Sequence, residues 1–237
     1  MLKVSKVGVL LAVMALSGLM ASSASAANWH TNGVKAFSST NAGISRLVIH
    51  PTVGGSTVTV QCPTSGGTGT INGPTSAALP WTNAATVTPV FGSVGNCTVS
   101  GAAGYTVACG SAELRANSYS GGDTLATAGG GRTEGSITNI DCRVSAGATA
   151  CSTVTGSVTA HYTNPNPIAT GAGTLTITNA NSALTVEPIG AGCLAIPSHG
   201  TGTFGSPVGA GVGDTTYVVD GPNAPYIYRG TCAGLMT

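Results

Sequence analysis

Gly135 to Val144 reads GSITNIDCRV, and Cys151 to Tyr162 reads CSTVTGSVTAHY. In both runs apolar residues alternate with small polar ones. Successive side chains of an extended chain point to opposite faces, so this period of two marks strands with one buried and one solvated face. The same pattern recurs outward from this pair. It is present in STVTVQC (Ser56 to Cys62), ATVTPVF (Ala85 to Phe91), YTVAC (Tyr105 to Cys109), GTLTIT (Gly173 to Thr178) and TTYVV (Thr215 to Val219). Clusters of Gly, Pro, Asn and Ser separate about a dozen such segments, and none shows the 3.6-residue period of a helix. The expected fold is all-β, an antiparallel β-sandwich, built as one large unit or as two closely packed sandwiches.

Composition agrees. Charged residues make up 6% of the 237-residue chain, against ~25% in an ordinary soluble domain. Thr and Val, which suit strands, replace the Glu, Lys, Arg and Leu on which helices draw. Eight basic residues, two of them in the leader described next, face seven acidic ones. No basic stripe is present to neutralise phosphates, which argues against a nucleic-acid partner.

The first 26 residues have the form of a secretory signal. Lys3 and Lys6 precede an apolar core from Val7 to Met20, and small residues lead to Ala24-Ser25-Ala26, an A-x-A cleavage site. The core is shorter than the ~20 residues a membrane-spanning helix needs. The expected mature region is 27–237, secreted or at the cell surface, with a possible subdivision near 110–132. There the segment SGGDTLATAGGGR (Ser120 to Arg132) has linker composition. It is read as a long hairpin loop, because LRANSY before it and GSITNI after it both alternate.

Seven cysteines follow the leader: Cys62, Cys97, Cys109, Cys142, Cys151, Cys193 and Cys232. In an exported chain they are read as disulfides. Cys109 and Cys142 flank the hairpin at matching distances. Cys62 with Cys97, and Cys151 with Cys193, close loops of comparable length. Cys232 is left over, either free or linking to another chain.

The string from SYSGG through GSITNIDCRVSAGATACSTVTGSVTAHYTNP and GTLTITNANSALTVEPIGAGCLAIPSHGTGTF resembles a group of exported β-rich proteins common in actinobacteria. The resemblance covers roughly Arg46 to Gly221 and implies secretion, β-structure and disulfides. It brings no catalytic residue. The chain departs from the group in its Asp123–Arg132 insertion and in Cys232.

Candidate chemistry is sparse. A glycosidase needs two carboxylates facing one cleft, and Glu134 and Asp141, seven residues apart on one strand, are expected on opposite faces. No G-x-S-x-G elbow accompanies His30, His50, His161 or His199. Cleavage after Ala27 would create an Asn28-Trp29-His30 terminus able to chelate Cu(II) or Ni(II), but the preferred site after Ala26 does not. No cofactor is expected. Trp81, Tyr217, Tyr226 and Tyr228 are the aromatic candidates for a carbohydrate or small-molecule surface, with core packing as their ordinary role. The pairs Thr57/Thr59, Thr86/Thr88, Thr153/Thr155 and Thr174/Thr176 need no function beyond strand formation. The expectation is a non-enzymatic protein with a structural or interaction role, open to self-association or a place in the cell envelope through unpaired sheet edges. A carbohydrate-binding or small-molecule-binding module is the alternative, and a secreted hydrolase comes third.

Overall fold

The computed structural model describes residues 27–33, 35–41, 43–53, 55–168, 170–189, 193, 196, 199–220 and 224–230. The leader and Cys232 lie outside the described residues. The described residues form seventeen strands: β1 (Asn28–Thr31), β2 (Ala36–Asn41), β3 (Ser45–Pro51), β4 (Val58–Cys62), β5 (Ser65–Ile71), β6 (Thr75–Ser76), β7 (Trp81–Phe91), β8 (Cys97–Val99), β9 (Ala102–Cys109), β10 (Ala112–Ser120), β11 (Arg132–Ala146), β12 (Thr149–Thr163), β13 (Gly173–Pro188), β14 (Gly200–Val208), β15 (Gly211–Gly213), β16 (Thr215–Val219) and β17 (Ile227–Gly230). Every pairing is antiparallel.

The runs that decide the fold are its central members. β11 and β12 form a hairpin in which Arg132 pairs with Thr163 and Ala146 with Thr149. The far side of β12 pairs with β13. These three strands are long enough to serve two β-rings placed end to end. In the first ring, the 132–138 part of β11 pairs with β10, and β13 pairs with β16. β2, β5 and β7 complete the circuit back to β10. In the second, the 142–146 part of β11 pairs with β9. The far end of β13 pairs with β14, and β3, β4 and β8 close the circuit. The layers of this sandwich-like fold are therefore joined at their edges by hydrogen-bonded pairs.

Two local devices mark the junction of the rings. Asn139 takes a left-handed conformation (φ 58°), and the β11–β12 register shifts between Ile137 and Ile140. This is a β-bulge, an extra residue that re-aims everything after it. Gly156 lies opposite Ile140 at φ 130°, and a Cβ there would sit 2.1 Å from the Ala183 carbonyl oxygen. Only glycine lets β12 pass so close to β13 at that angle.

Closure has a consequence for association. The strands that remain unpaired on one side are short: β6 has two residues, β15 three and β17 four. The expectation of self-association rested on open edges, and among the described residues closure removes the long edges that would drive it.

The Ser120–Arg132 segment is a hairpin connection, since Ser120 pairs with Arg132. It also packs down as a cap. Ala128 is fully buried. The Asn164 amide donates to the carbonyls of Ala128 and Ile227, each at 2.9 Å, and its oxygen accepts from the Ile227 N–H at 2.9 Å. The three-stranded sheet β6–β1–β17 belongs to the same end, where Tyr162 donates its hydroxyl proton to the Pro225 carbonyl.

Inside both rings lies one apolar core, with Trp29, Ile49, Ile71, Val99, Val144, Val186 and Val219 at most 1% exposed. Disulfides Cys62–Cys97, Cys109–Cys142 and Cys151–Cys193 staple it. They close loops of 35, 33 and 42 residues, for which restriction of the unfolded chain stabilises by about 4 kcal/mol each at most. Three such bonds point to an oxidising environment.

Candidate functional site

The strand alternation that buries Val and Ile sends threonine outward. On the outer face of β2, β5 and β7, Ala36, Thr70 and Thr86 form one cross-strand row, and Ser38, Thr68 and Thr88 form the next. Neighbours in a row stand about 4.8 Å apart, and rows about 6.8 Å apart along the strands. The result is a small grid of hydroxyls. It lines a surface concavity of about 520 Å³, with Asp220 at its rim.

The grid is held by its own hydrogen bonds. Ser38 donates its hydroxyl proton to the Asp220 carboxylate, and the Asp220 N–H donates to the Ser38 carbonyl at 3.0 Å. Thr86 Oγ1 exchanges bonds with the Asn72 amide at 3.1 and 3.3 Å, and Thr88 Oγ1 bonds Ser111 Oγ at 3.1 Å. A hydroxyl has one proton to donate and two lone pairs to accept with, so each keeps capacity for an incoming group. Nothing along the chain draws attention to this groove, because its residues come from segments as far apart as Ser38 and Asp220. The Thr86/Thr88 pair is the visible trace.

The aromatic candidates sit elsewhere. Trp81 begins β7 and is 8% exposed. Tyr217 is 4% exposed and accepts a hydrogen bond from Ser65 Oγ at 3.1 Å. Burial pushes its phenol up to about 12, with the Ser65 bond acting in the opposite direction. Tyr228 is buried and stacks on His30 with ring centroids 5.0 Å apart. Tyr226 is half-buried beside it, and burial raises its pKa. Three of the four are therefore core residues, and they do not form a surface platform.

The Asn28-Trp29-His30 segment is likewise part of the fold. Asn28, Trp29 and His30 form ladder pairs with Gly230, Arg229 and Tyr228. Trp29 is fully buried, and His30 Nε2 lies 3.3 Å from the Gly230 carbonyl. An imidazole held there is not available to a chelate around the chain terminus. Among the described residues no group of three or more His, Cys, Asp or Glu side chains is placed to hold a metal ion.

Glu134 and Asp141 lie on the same outer face, not on opposite faces, because the bulge at Asn139 adds one residue between them. They remain roughly 20 Å apart along the strand. Glu134 is ion-paired with Arg132, and its cross-strand neighbour is His161. Desolvation, and then the charge of Arg132, lower the His161 pKa, partly opposed by Glu134 and Asp214. His199 pairs with Glu187 in an exposed contact. His50 is exposed and stands opposite Thr201 on β14. This outer face carries isolated ion pairs and does not bring two free carboxylates to one cleft.

No known protein family, curated protein or solved structure matches the chain.

Proposed function

We propose that this chain is an exported protein of the cell surface or surrounding medium that acts by binding and not by catalysis. Its ligand is a carbohydrate held in the groove over β2, β5 and β7. Export is supported by the leader-like first 26 residues and by three disulfides. The observation that carries the binding site is the Thr68, Thr70, Thr86 and Thr88 grid with Asp220 at its rim. Such a surface offers many neutral donors and acceptors and one carboxylate, which suits a polyhydroxylated, uncharged ligand. Charged residues make up only 6% of the chain, compatible with a protein that sits among neutral polymers.

The test is retention of the secreted chain on a panel of insoluble polysaccharides, beside Thr68→Val/Thr88→Val and Asp220→Ala variants of unchanged circular dichroism. Retention on at least one polymer, weakened about tenfold or more in both variants, is the expected result. Retention by none, or retention that both variants leave intact, would sink the carbohydrate reading.

A further inference from the structure

The groove is the middle of a longer pattern on the same outer face. Register extends its second row at both ends. The Asp220 N–H donates to the Ser38 carbonyl, which sets Asp220 beside β2, and Ala112 pairs with Val87, which sets Ser111 opposite Thr88. Asp220, Ser38, Thr68, Thr88 and Ser111 therefore form one polar row across the strands. Four steps of about 4.8 Å make it about 19 Å long along the sheet. Its ends are tied, Ser38 to Asp220 and Thr88 to Ser111. Thr68, at the centre, is exposed and makes no hydrogen bond to a described residue.

The next row, two residues further along each strand, has the opposite chemistry. Val218 pairs with Thr40, Thr40 with Gly66 and Gly66 with Val90. Both valines are 50% exposed. A Cβ at Gly66 would run into the Ser39 carbonyl oxygen, so the position stays glycine and the floor between the valines stays low. A polar row thus lies beside an apolar one, about 6.8 Å away.

We propose that the two rows form one track that binds a linear, unbranched, neutral polysaccharide along its length, lying across the strands. The inference rests on the carbohydrate reading of the groove, and adds the shape of the ligand and the apolar half of its site. A pyranose ring carries hydroxyls on its rim and C–H groups on its faces. The hydroxyls meet Thr68 and its neighbours, and the C–H groups lie on Val90, Gly66 and Val218. One sugar unit covers about one strand-to-strand step, so it gains only a hydrogen bond or two, each worth little against water. The outward side chains of both rows include no aromatic ring to add to that. Affinity therefore comes from repetition along a chain.

The probes are size-separated linear oligomers of glucose, xylose and mannose, from single sugar to hexamer, titrated by calorimetry into the oxidised mature chain. In at least one series the single sugar is expected not to bind detectably. Affinity then rises about tenfold or more from dimer to tetramer and levels off near the tetramer, where the polar row ends. Val90→Ser and Val218→Ser, both at half-exposed positions, are each expected to weaken the hexamer about three-fold or more, because apolar area is lost from the track. Equal binding of single sugar and hexamer, no binding of any oligomer, or valine variants that bind the hexamer as the wild type does would overturn the track. The carbohydrate reading fails separately, by retention on no polysaccharide or by retention that the Thr68→Val/Thr88→Val variant leaves intact.

Discussion

Asn164→Ala tests how the barrel end is closed. The side chain is 2% exposed and makes three bonds of 2.9 Å, two donated to Ala128 and Ile227 and one accepted from the Ile227 N–H. It thus ties the 121–131 loop to the last strand. Ala128 O keeps a bond from the Gly131 N–H at 3.0 Å, so truncation leaves the groups of Ile227 as the main orphans. Three neutral bonds at about 1 kcal/mol each, with a surcharge for an unpaired buried N–H, give a loss of about 3–4 kcal/mol. For a chain of this size that lowers Tm by about 6–16 °C. Urea unfolding followed by the fluorescence of buried Trp29 and Trp81 reads the global loss. Thermolysin cleavage within 121–131 reads local opening of the cap. If stability falls by less than about 1 kcal/mol and cleavage is unchanged, Asn164 is not the tie, and the reasoning about this end fails.

Gly156→Ala places a Cβ 2.1 Å from the Ala183 carbonyl oxygen at φ 130°; backbone strain and overpacking together cost about 3 kcal/mol or more, visible as a large drop in Tm. Asn139→Val forces a β-branched residue into the left-handed region at φ 58°, a loss of about 1–2 kcal/mol, whereas Asn139→Gly unfolds at nearly the wild-type denaturant concentration. Tyr217 has its pKa raised from 10.0 to about 12 by burial, so its phenol stays protonated while the unfolded chain ionises. The stabilisation is fully present below pH 10 and is lost as pH rises from about 10 to about 12. Ultraviolet titration of wild type against Tyr217→Phe detects this as a late-titrating tyrosine; a Tyr217 phenol that titrates near 10 in the folded protein refutes it.

Strand identity was legible in the sequence because alternation is a property of the backbone alone. TTYVV is β16, and GTLTIT opens β13. Ser65–Ile71 reads SGGTGTI, where glycine erases the apolar phase, so alternation does not mark this strand although it is central to the first ring. The seven-residue offset between Glu134 and Asp141 misled because a bulge is invisible to a count of residues; the left-handed Asn139 decides it. Core packing was the ordinary expectation for Trp81, and its 8% exposure agrees, but its pairing with Ala116 across β10 follows only from the fold.

The amino-acid sequence by itself determined that the chain is β-rich, low in charge and equipped with cysteines for an oxidising environment, because composition and period two act over a few residues. Tertiary structure alone decided that the sheet closes into two rings. The pairs that close it join Thr40 to Val218 and Arg46 to Gly205, and no local pattern specifies partners so distant. The hydroxyl groove belongs to the same class of fact. It exists because small side chains from remote strands were brought to one face, and which residues meet across a sheet is settled by the global choice of pairing.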